Sequence, residues 1–243
     1  VMMLEDLTDV ETLEAELAHS DRLASVGRLA AGVAHEIGNP LTAIASLAQN
    51  LHAEVADPEV ASTTDEILNQ TRRITRIVRS LMNFSHGGIA ELERQRFPVR
   101  EILEDAVNLV RLTHKGHQVT CTLSCPEELE LQGDKQRLSQ MLVNLCTNAC
   151  DASRPGQRVE ILAFAEAGGV NIEVRDRGLG IADAQRAYLF EPFYTTKPAG
   201  QGTGLGLPIA SKIVEEHHGS IQLESVPGSG TRVRVRLPLQ PQE

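Results

Sequence analysis

No run of about eighteen consecutive apolar residues occurs in the chain, so none of it is expected to cross a bilayer as a helix. A secretory signal is missing too. Cysteine is sparse: Cys121, Cys125, Cys146 and Cys150 are too few and too clustered to staple 243 residues, and two of them lie in an apolar helical run. They read as reduced thiols of a cytoplasmic protein. Positive charge is in deficit, with 23 Lys and Arg against 33 Asp and Glu, a net charge of −10 and a pI near 5.3. A protein that neutralises phosphates over a broad surface needs the opposite balance, so nucleic acid is not an expected partner. Membrane contact by this stretch is not expected either. Internal repeats and low-complexity tracts are absent.

What is present suffices for a buried core, with 41% hydrophobic residues in a length that fits one large domain or two ordinary ones. The chain opens "VMMLEDLTDV" without an initiator Met, which suggests a piece of something longer and leaves an upstream anchor or sensor open. From Leu7 to Leu51, apolar residues recur mostly at three- and four-residue steps, among them Val26, Ala30, Val33, Ile37, Leu41 and Ile44, and predict one long helix. "ADPEV" (56–60) breaks it, because the residue before Pro58 is pushed out of the α region. A second helix follows with a stripe of Ile67, Ile74, Ile77, Val78, Leu81 and Phe84, ended by "SHGG" (85–88). Such an antiparallel hairpin leaves its stripe half covered, so dimerisation into a four-helix bundle is the natural way to bury it.

After "RQRFPV" (94–99) the pattern changes to helix 99–114, strand 117–124, helix 134–153, strands 158–165 and 169–176, helix 204–217, and strands 219–226 and 230–237. Helices and a mixed sheet from one segment imply a two-layer α/β sandwich. The expected fold class is therefore α + α/β. Three regions follow: 1–20 as a coiled-coil signal linker, 21–90 as the dimerisation hairpin, and 95–240 as the sandwich.

Polar and glycine-rich residues of the second half concentrate in four stretches. "QMLVNLCTNACDAS" (140–153) is a helix whose Asn144 and Asn148 share a face and present amide oxygens, hard donors suited to Mg²⁺. "DRGLGI" (176–181) sets Asp176 at a strand end before Gly178 and Gly180: a carboxylate to accept from an exocyclic amine, and a backbone free to approach a flat base. "FEPFYTTK" (190–197), aromatic and basic in a proline-punctuated connection, has the composition of a mobile lid. "GQGTGLGL" (200–207) leads into a helix, so freed N–H groups and a positive helix end converge where a polyphosphate could sit. Singly, each stretch has a bland reading: Asn148 a surface residue, Asp176 a turn former, the glycines a loop.

Together, their order and spacing resemble the N, G1, F and G2 boxes of the GHKL ATP-binding fold shared by histidine kinases, gyrase, heat-shock chaperones and mismatch-repair ATPases. The resemblance covers roughly residues 95–238 and includes "GSGTRVRVRLP" (228–238) as the closing strand pair. It implies that ATP and Mg²⁺ are the cofactors, that Asn148 coordinates the metal, and that Asp176 reads the adenine amine. It implies further that Thr231 lies near the adenine, that Gly202, Gly204 and Gly206 wrap the phosphates, and that Lys197 supplies charge from the lid. Asn144, Gly178, Gly180, Thr203 and Leu205 complete the implied nucleotide-binding set.

"AHEIGNPL" (34–41) resembles the phosphoacceptor box of sensor histidine kinases with a HisKA dimerisation domain, a match that runs over both helices of the hairpin. It implies a homodimer that phosphorylates His35 from ATP and passes the phosphoryl group to an aspartate of a response-regulator receiver domain. The residue types fit: neutral imidazole is a nucleophile near pH 7, and Glu36 can accept a ring N–H and take the proton. Asn39 lies at i+4 on His35's face, where it can hold a water, and the resemblance implies a part in dephosphorylating the regulator. Pro40 cannot donate to the carbonyl of Glu36, which loosens the helix below the nucleophile. "EDLTD" (5–9) resembles the exit of a PAS sensor domain.

Two other functions stay open on the same fold: a nucleotide-bound regulatory module acting only as regulator phosphatase or scaffold, and a GHKL clamp ATPase with steady hydrolysis. His114, His117, Cys121 and Cys125 have spacing that suggests zinc but read adequately as a helix end and a strand, and "HEIGN" lacks a zincin's second histidine. His217 and His218 are expected to cap a helix C-terminus, where positive charge is favourable.

Overall fold

The computed structural model describes residues 37–55, 57–86, 92–113, 118–166, 168–198 and 202–239. It divides into two compact units, Val1–Ala90 and Glu91–Glu243.

The first unit is a helical hairpin. Helix α1 is described over 37–54, with Pro40 inside it; the expected stretch from Leu7 to Glu36, and the linker before it, lie outside the described residues. Helix α2 spans Pro58–His86. The break at "ADPEV" is also a start: the Asp57 carboxylate accepts the Glu59 N–H at 2.8 Å and the Asp57 carbonyl that of Ala61 at 2.9 Å. Pro58 thus sits at the first helical position, where it has no N–H to lose. His52 Nδ1 lies 3.1 Å from Thr64 Oγ1, and Leu41 clusters with Val78, so the helices run antiparallel.

The expected single stripe on α2 divides in two. Thr64, Leu68, Thr71 and Val78 are buried within the hairpin, whereas Ile67, Ile74 and Ile77 are exposed. Ile44, Leu47 and Leu51 of α1 are exposed as well, at helical spacing. A pair of helices can bury only one side of each, and the apolar remainder is left on the surface.

The second unit is the sandwich. Its strands are β1 (Arg94–Pro98), β2 (Thr120–Ser124), β3 (Glu130–Asp134), β4 (Arg158–Glu166), β5 (Gly169–Arg175), β6 (Ser220–Val226) and β7 (Gly230–Pro238). Helices α3 (Val99–Thr113), α4 (Lys135–Ala152), the short α5 (Asp183–Arg186) and α6 (Gly206–Glu216) complete it. The main sheet has the order β2-β4-β5-β7-β6, parallel between β2 and β4 and antiparallel elsewhere. Helices α3, α4 and α6 pack side by side and against one face of it. Val159, Ile161, Ala163, Val170, Ile172, Val174, Val233, Val235 and Leu237 alternate inward to meet Ile102, Leu103, Leu138, Met141, Leu142, Ile209 and Ile213.

Two strands depart from expectation. "RQRFP", read as a boundary, is β1, and "ELQGD" is β3; they pair antiparallel, with Phe97 opposite Leu131. On the outer face of the main sheet Glu173 is fully buried, because Arg175 and Arg234 hydrogen-bond its carboxylate from both sides. Burial pushes its pKa up, but the two arginines outweigh that and hold it below the usual carboxylate range.

Candidate active site

Helix α4 starts with Asp134 as its N-cap, the carboxylate accepting the Arg137 N–H at 3.0 Å. Its apolar face, Leu138, Met141, Leu142, Leu145, Cys146 and Ala149, is buried under the neighbouring helices and sheet. That burial fixes the rotation of α4 and turns Asn144 and Asn148 toward the start of α6. Asn144 Nδ2 donates to the Gly206 carbonyl at 3.3 Å. The oxygen of Asn148 accepts from Lys197 Nζ at 3.3 Å, and the same ammonium reaches Asp151 Oδ2 at 2.5 Å. Asp151 carries no signal in the sequence, since its partner stands far along the chain.

Asp176 lies just past the end of β5 and is 9% exposed. Its Oδ1 accepts the Gly178 N–H at 2.8 Å and the Thr231 N–H at 3.2 Å, and its own N–H donates to the Thr231 carbonyl at 2.9 Å. The β5–β7 ladder thus continues into the loop and leaves the second carboxylate oxygen, Oδ2, for another donor. Burial raises the pKa of Asp176 and the two backbone N–H groups oppose it, with the balance upward. A buried carboxylate of this kind gains from a further donor. Thr231 also bonds Ser225 side chain to side chain at 2.9 Å, and Ser225 Oγ accepts the Ile181 N–H at 2.9 Å, so the loop after Asp176 is tied to β6.

The glycines of this loop answer first to the chain itself. At Gly180, with φ +67°, a Cβ would lie 2.1 Å from the Val226 carbonyl oxygen; at Gly178 it would lie 2.1 Å from that of Ala152. Only glycine lets the loop lie against both α4 and β6. In the connection to α6, the Phe193 N–H donates to the Gly204 carbonyl at 3.0 Å, and Gly204 at φ +65° would put a Cβ 2.3 Å from Phe193's carbonyl carbon. Gly202 lies beside Thr195 and Lys197. The Leu205 N–H is 3.4 Å from Thr203 Oγ1, and the Leu205 side chain is fully buried. Helix α6 begins at Gly206 with no described side chain capping it; Pro208 has no N–H and the Ile209 N–H donates to the Leu205 carbonyl at 3.0 Å, so Gly206 and Leu207 carry the N–H groups of its start that lie beyond the helical ladder.

Asn144, Asn148, Asp151, Lys197 and Gly206 are therefore brought together, and Asp176, Gly178 and Thr231 form a second group linked to the same helix through Gly178's approach to Ala152. Asn39 is exposed on α1. His35 and Glu36 lie outside the described residues. Hard amide oxygens, an ammonium and uncapped helix N–H groups suit a polyphosphate with a divalent cation, and a buried carboxylate with a free oxygen suits an amine.

Of the remaining histidines, His114 and His117 lie outside the described residues, and His217 stands at the C-cap of α6 as expected but not as a cation. His217 is buried and neutral: Nδ1–H donates to the Ile213 carbonyl at 2.7 Å while Nε2 accepts the Asp134 N–H at 3.0 Å. Burial holds its pKa below the ordinary histidine value, so it links α6 to the N-cap of α4 as a neutral ring rather than as a cation on a helix dipole. Cys121, Cys125, Cys146 and Cys150 are buried thiols outside any disulfide, and no group of three metal-ligating side chains forms among the described residues. No helix among them is long and apolar enough to cross a membrane.

Comparison with known proteins adds two family matches: the His Kinase A (phospho-acceptor) domain over residues 25–88, and the histidine kinase-, DNA gyrase B-, and HSP90-like ATPase over residues 133–241. The chain is 31% identical to the signal transduction histidine-protein kinase AtoS of Escherichia coli (strain K12), over all of its own length and 40% of the relative's. It is 33% identical to the sensor histidine kinase ZraS of the same strain, over 94% of its length and 49% of ZraS. The chain thus spans about half or less of these relatives. Among solved structures it is similar to the histidine kinase ThkA in complex with the response regulator protein TrrA, with TM-score 0.65, 27% identity, 97% of this chain and 68% of that one covered.

Proposed function

The chain belongs to the sensor histidine kinase family, and from that premise we propose that it binds Mg²⁺-ATP in its second unit, phosphorylates His35, and passes the phosphoryl group to a receiver-domain aspartate of a response regulator. The proposal places this stretch in the cytoplasm, as part of a homodimer.

The observation that carries the nucleotide reading is the convergence of Asn148, Lys197 and the uncapped start of α6, with buried Asp176 set apart from them. Asp176 accepts the exocyclic amine of adenine through its free oxygen, which offsets the burial of its charge. Gly178 and Gly180 keep the loop beneath the base thin. The N–H groups of Gly206 and Leu207 at the start of α6, preceded by Gly202, Thr203, Gly204 and Leu205, receive the phosphates, and Lys197 adds a positive charge. Asn148, with its hard amide oxygen, would hold Mg²⁺, which when bound supplies charge neutralisation across the phosphates.

At His35 the chemistry is a displacement at phosphorus. A ring nitrogen forms the P–N bond to the γ-phosphorus, the bond to the β–γ bridging oxygen breaks, and ADP leaves. Glu36 accepts the N–H of the other ring nitrogen and takes the proton as the phosphoramidate forms. Asn39, one turn on, orients water for the reverse traffic, removal of phosphate from the regulator. Exposed Ile44, Leu47 and Leu51 on α1 and Ile67, Ile74 and Ile77 on α2 supply the surface that a second hairpin covers in the dimer.

Incubation with γ-labelled ATP tests the reading. The expected product carries an acid-labile, base-stable label that His35→Gln abolishes while ATP binding persists. Label retained on that variant overturns the assignment of the acceptor.

A further inference from the structure

Asp151 stands in the last turn of α4, where the carbonyl ends of the helix make a carboxylate unfavourable, and no basic residue shares that turn to compensate. Helix stability does not account for it. It also lies one turn beyond Asn148 on the same face, beside the ground assigned to the polyphosphate, where an unneutralised carboxylate repels the substrate. Lys197 removes both problems. Its Nζ lies 2.5 Å from Asp151 Oδ2 and 3.3 Å from Asn148 Oδ1, and the two charged side chains are only 29% and 22% exposed, so solvent screens the pair less than an ordinary surface bridge.

The lid is built around that lysine. The Lys197 N–H donates to Thr195 Oγ1 at 3.2 Å, and a Cβ at Gly202 would meet Thr195 Oγ1 at 2.5 Å and Lys197 Cδ at 3.1 Å, so the two flanks of the connection close on the lysine stem. A four-carbon stem with free rotation loses much conformational entropy when placed against a phosphate, unless something has already placed it.

We propose that Asp151 is a positioning residue for ATP binding: it docks Lys197, and with it the lid, onto α4 before nucleotide arrives, and the ammonium neutralises Asp151 in return. This rests on the nucleotide reading of the site. When the polyphosphate enters, Lys197 gives up Asn148's oxygen and turns to phosphate while Asp151 keeps hold of the other side of the ammonium.

The test has two arms, both on the full chain. Without nucleotide, hydrogen exchange of Asp151→Asn should quicken several-fold across the lid, residues 187–198 and 202–205, and stay unchanged in β4, β5 and β7. Unchanged lid exchange overturns the proposal, and so does faster exchange throughout the sheet, which marks a role in folding. With Mg²⁺-ATP, calorimetry should find Lys197→Met weaker by about tenfold, from the lost charged contact and the negative charge of Asp151 that remains beside the phosphates. Adding Asp151→Asn to Lys197→Met should then recover part of that affinity. A double variant as weak as Lys197→Met alone, or weaker, overturns the coupling. A wild-type chain that binds no Mg²⁺-ATP overturns the nucleotide reading, and the exchange arm still decides whether Asp151 docks the lid.

Discussion

His217 Nε2 accepts the backbone N–H of Asp134 at 3.0 Å, so the C-cap residue of α6 holds the N-cap of α4 in place. Because Nδ1–H is committed to the Ile213 carbonyl, protonation must occur at Nε2, where it turns an acceptor into a donor facing a donor. Arg94 and Arg137 oppose the added charge and Asp134 favours it, but burial dominates, and the folded pKa lies below the ordinary 6.5.

Stability should therefore depend on pH in one direction. The unfolded chain takes up this proton near pH 6.5 and the folded one resists until lower, so the contribution is complete above 6.5 and declines as pH falls below it. His217→Gln should cost about 1–3 kcal/mol near pH 7.5, for a buried N–H left badly partnered. It should also flatten the loss between about pH 7 and 5.5 relative to the parent. Urea midpoints across that range measure both effects, and parallel curves for the two proteins count against the account.

Asp176→Asn should separate binding from stability. Asn keeps an oxygen for the Gly178 and Thr231 N–H groups, and it removes a buried charge whose raised pKa means that ionisation at neutral pH works against the fold. The sign follows: a carboxyl with a raised folded pKa adds stability below the ordinary carboxylate range and loses it as pH rises. Thermal stability at pH 7.5 should be unchanged or higher, whereas ATP affinity should fall by roughly 1.5–3 kcal/mol for a lost charged hydrogen bond. Unchanged affinity by calorimetry contradicts the adenine assignment.

How much was legible in the sequence depended on the distance between partners. Helix α4 and strands β4, β5, β6 and β7 follow from apolar period and from glycines at their ends, all local signals. Strands β1 and β3 do not, because each is five residues long and mostly polar, and the pair exists only once the chain has folded back to set Phe97 opposite Leu131. Glu173 would be read as a solvent-facing strand residue; it is buried because Arg234 comes across from β7. In the candidate site, the order and spacing of the motifs single out Asn148 and Asp176. Asp151 was not, since its chemistry depends on Lys197, and neither was the neutral state of His217, which depends on Asp134. The split of the α2 stripe was missed for another reason: periodicity marks apolar positions but does not say which partner covers each.

That split makes a prediction about assembly. Leu47 is 69% exposed and Ile74 40% exposed, both on the side of the hairpin left uncovered. Leu47→Glu should turn a dimer into a monomer in sedimentation or light scattering, because burying an unpaired carboxylate at an apolar seam costs several kcal/mol. Replacing Leu68, buried inside the hairpin, by Ala should instead lower thermal stability by about 2–5 kcal/mol. A Leu47→Glu protein that stays dimeric at micromolar concentration removes this face from the interface.

The two reactions proposed for the His35 region can be told apart. Asn39 is exposed on α1 and stands four residues beyond His35 in the sequence, the spacing of one turn wherever the chain is helical. Its amide can orient water but cannot take a proton from imidazole, whereas Glu36 is a carboxylate adjacent to the nucleophile. Asn39→Ala should therefore spare autophosphorylation and slow removal of phosphate from a purified regulator, and Glu36→Ala should do the reverse. Loss of a general base costs about a hundredfold to ten-thousandfold in rate, well outside the error of a timed phosphorylation assay. If Asn39→Ala loses autophosphorylation as completely as Glu36→Ala, the two side chains serve only to hold the helix in shape, and the proton must leave His35 by another route.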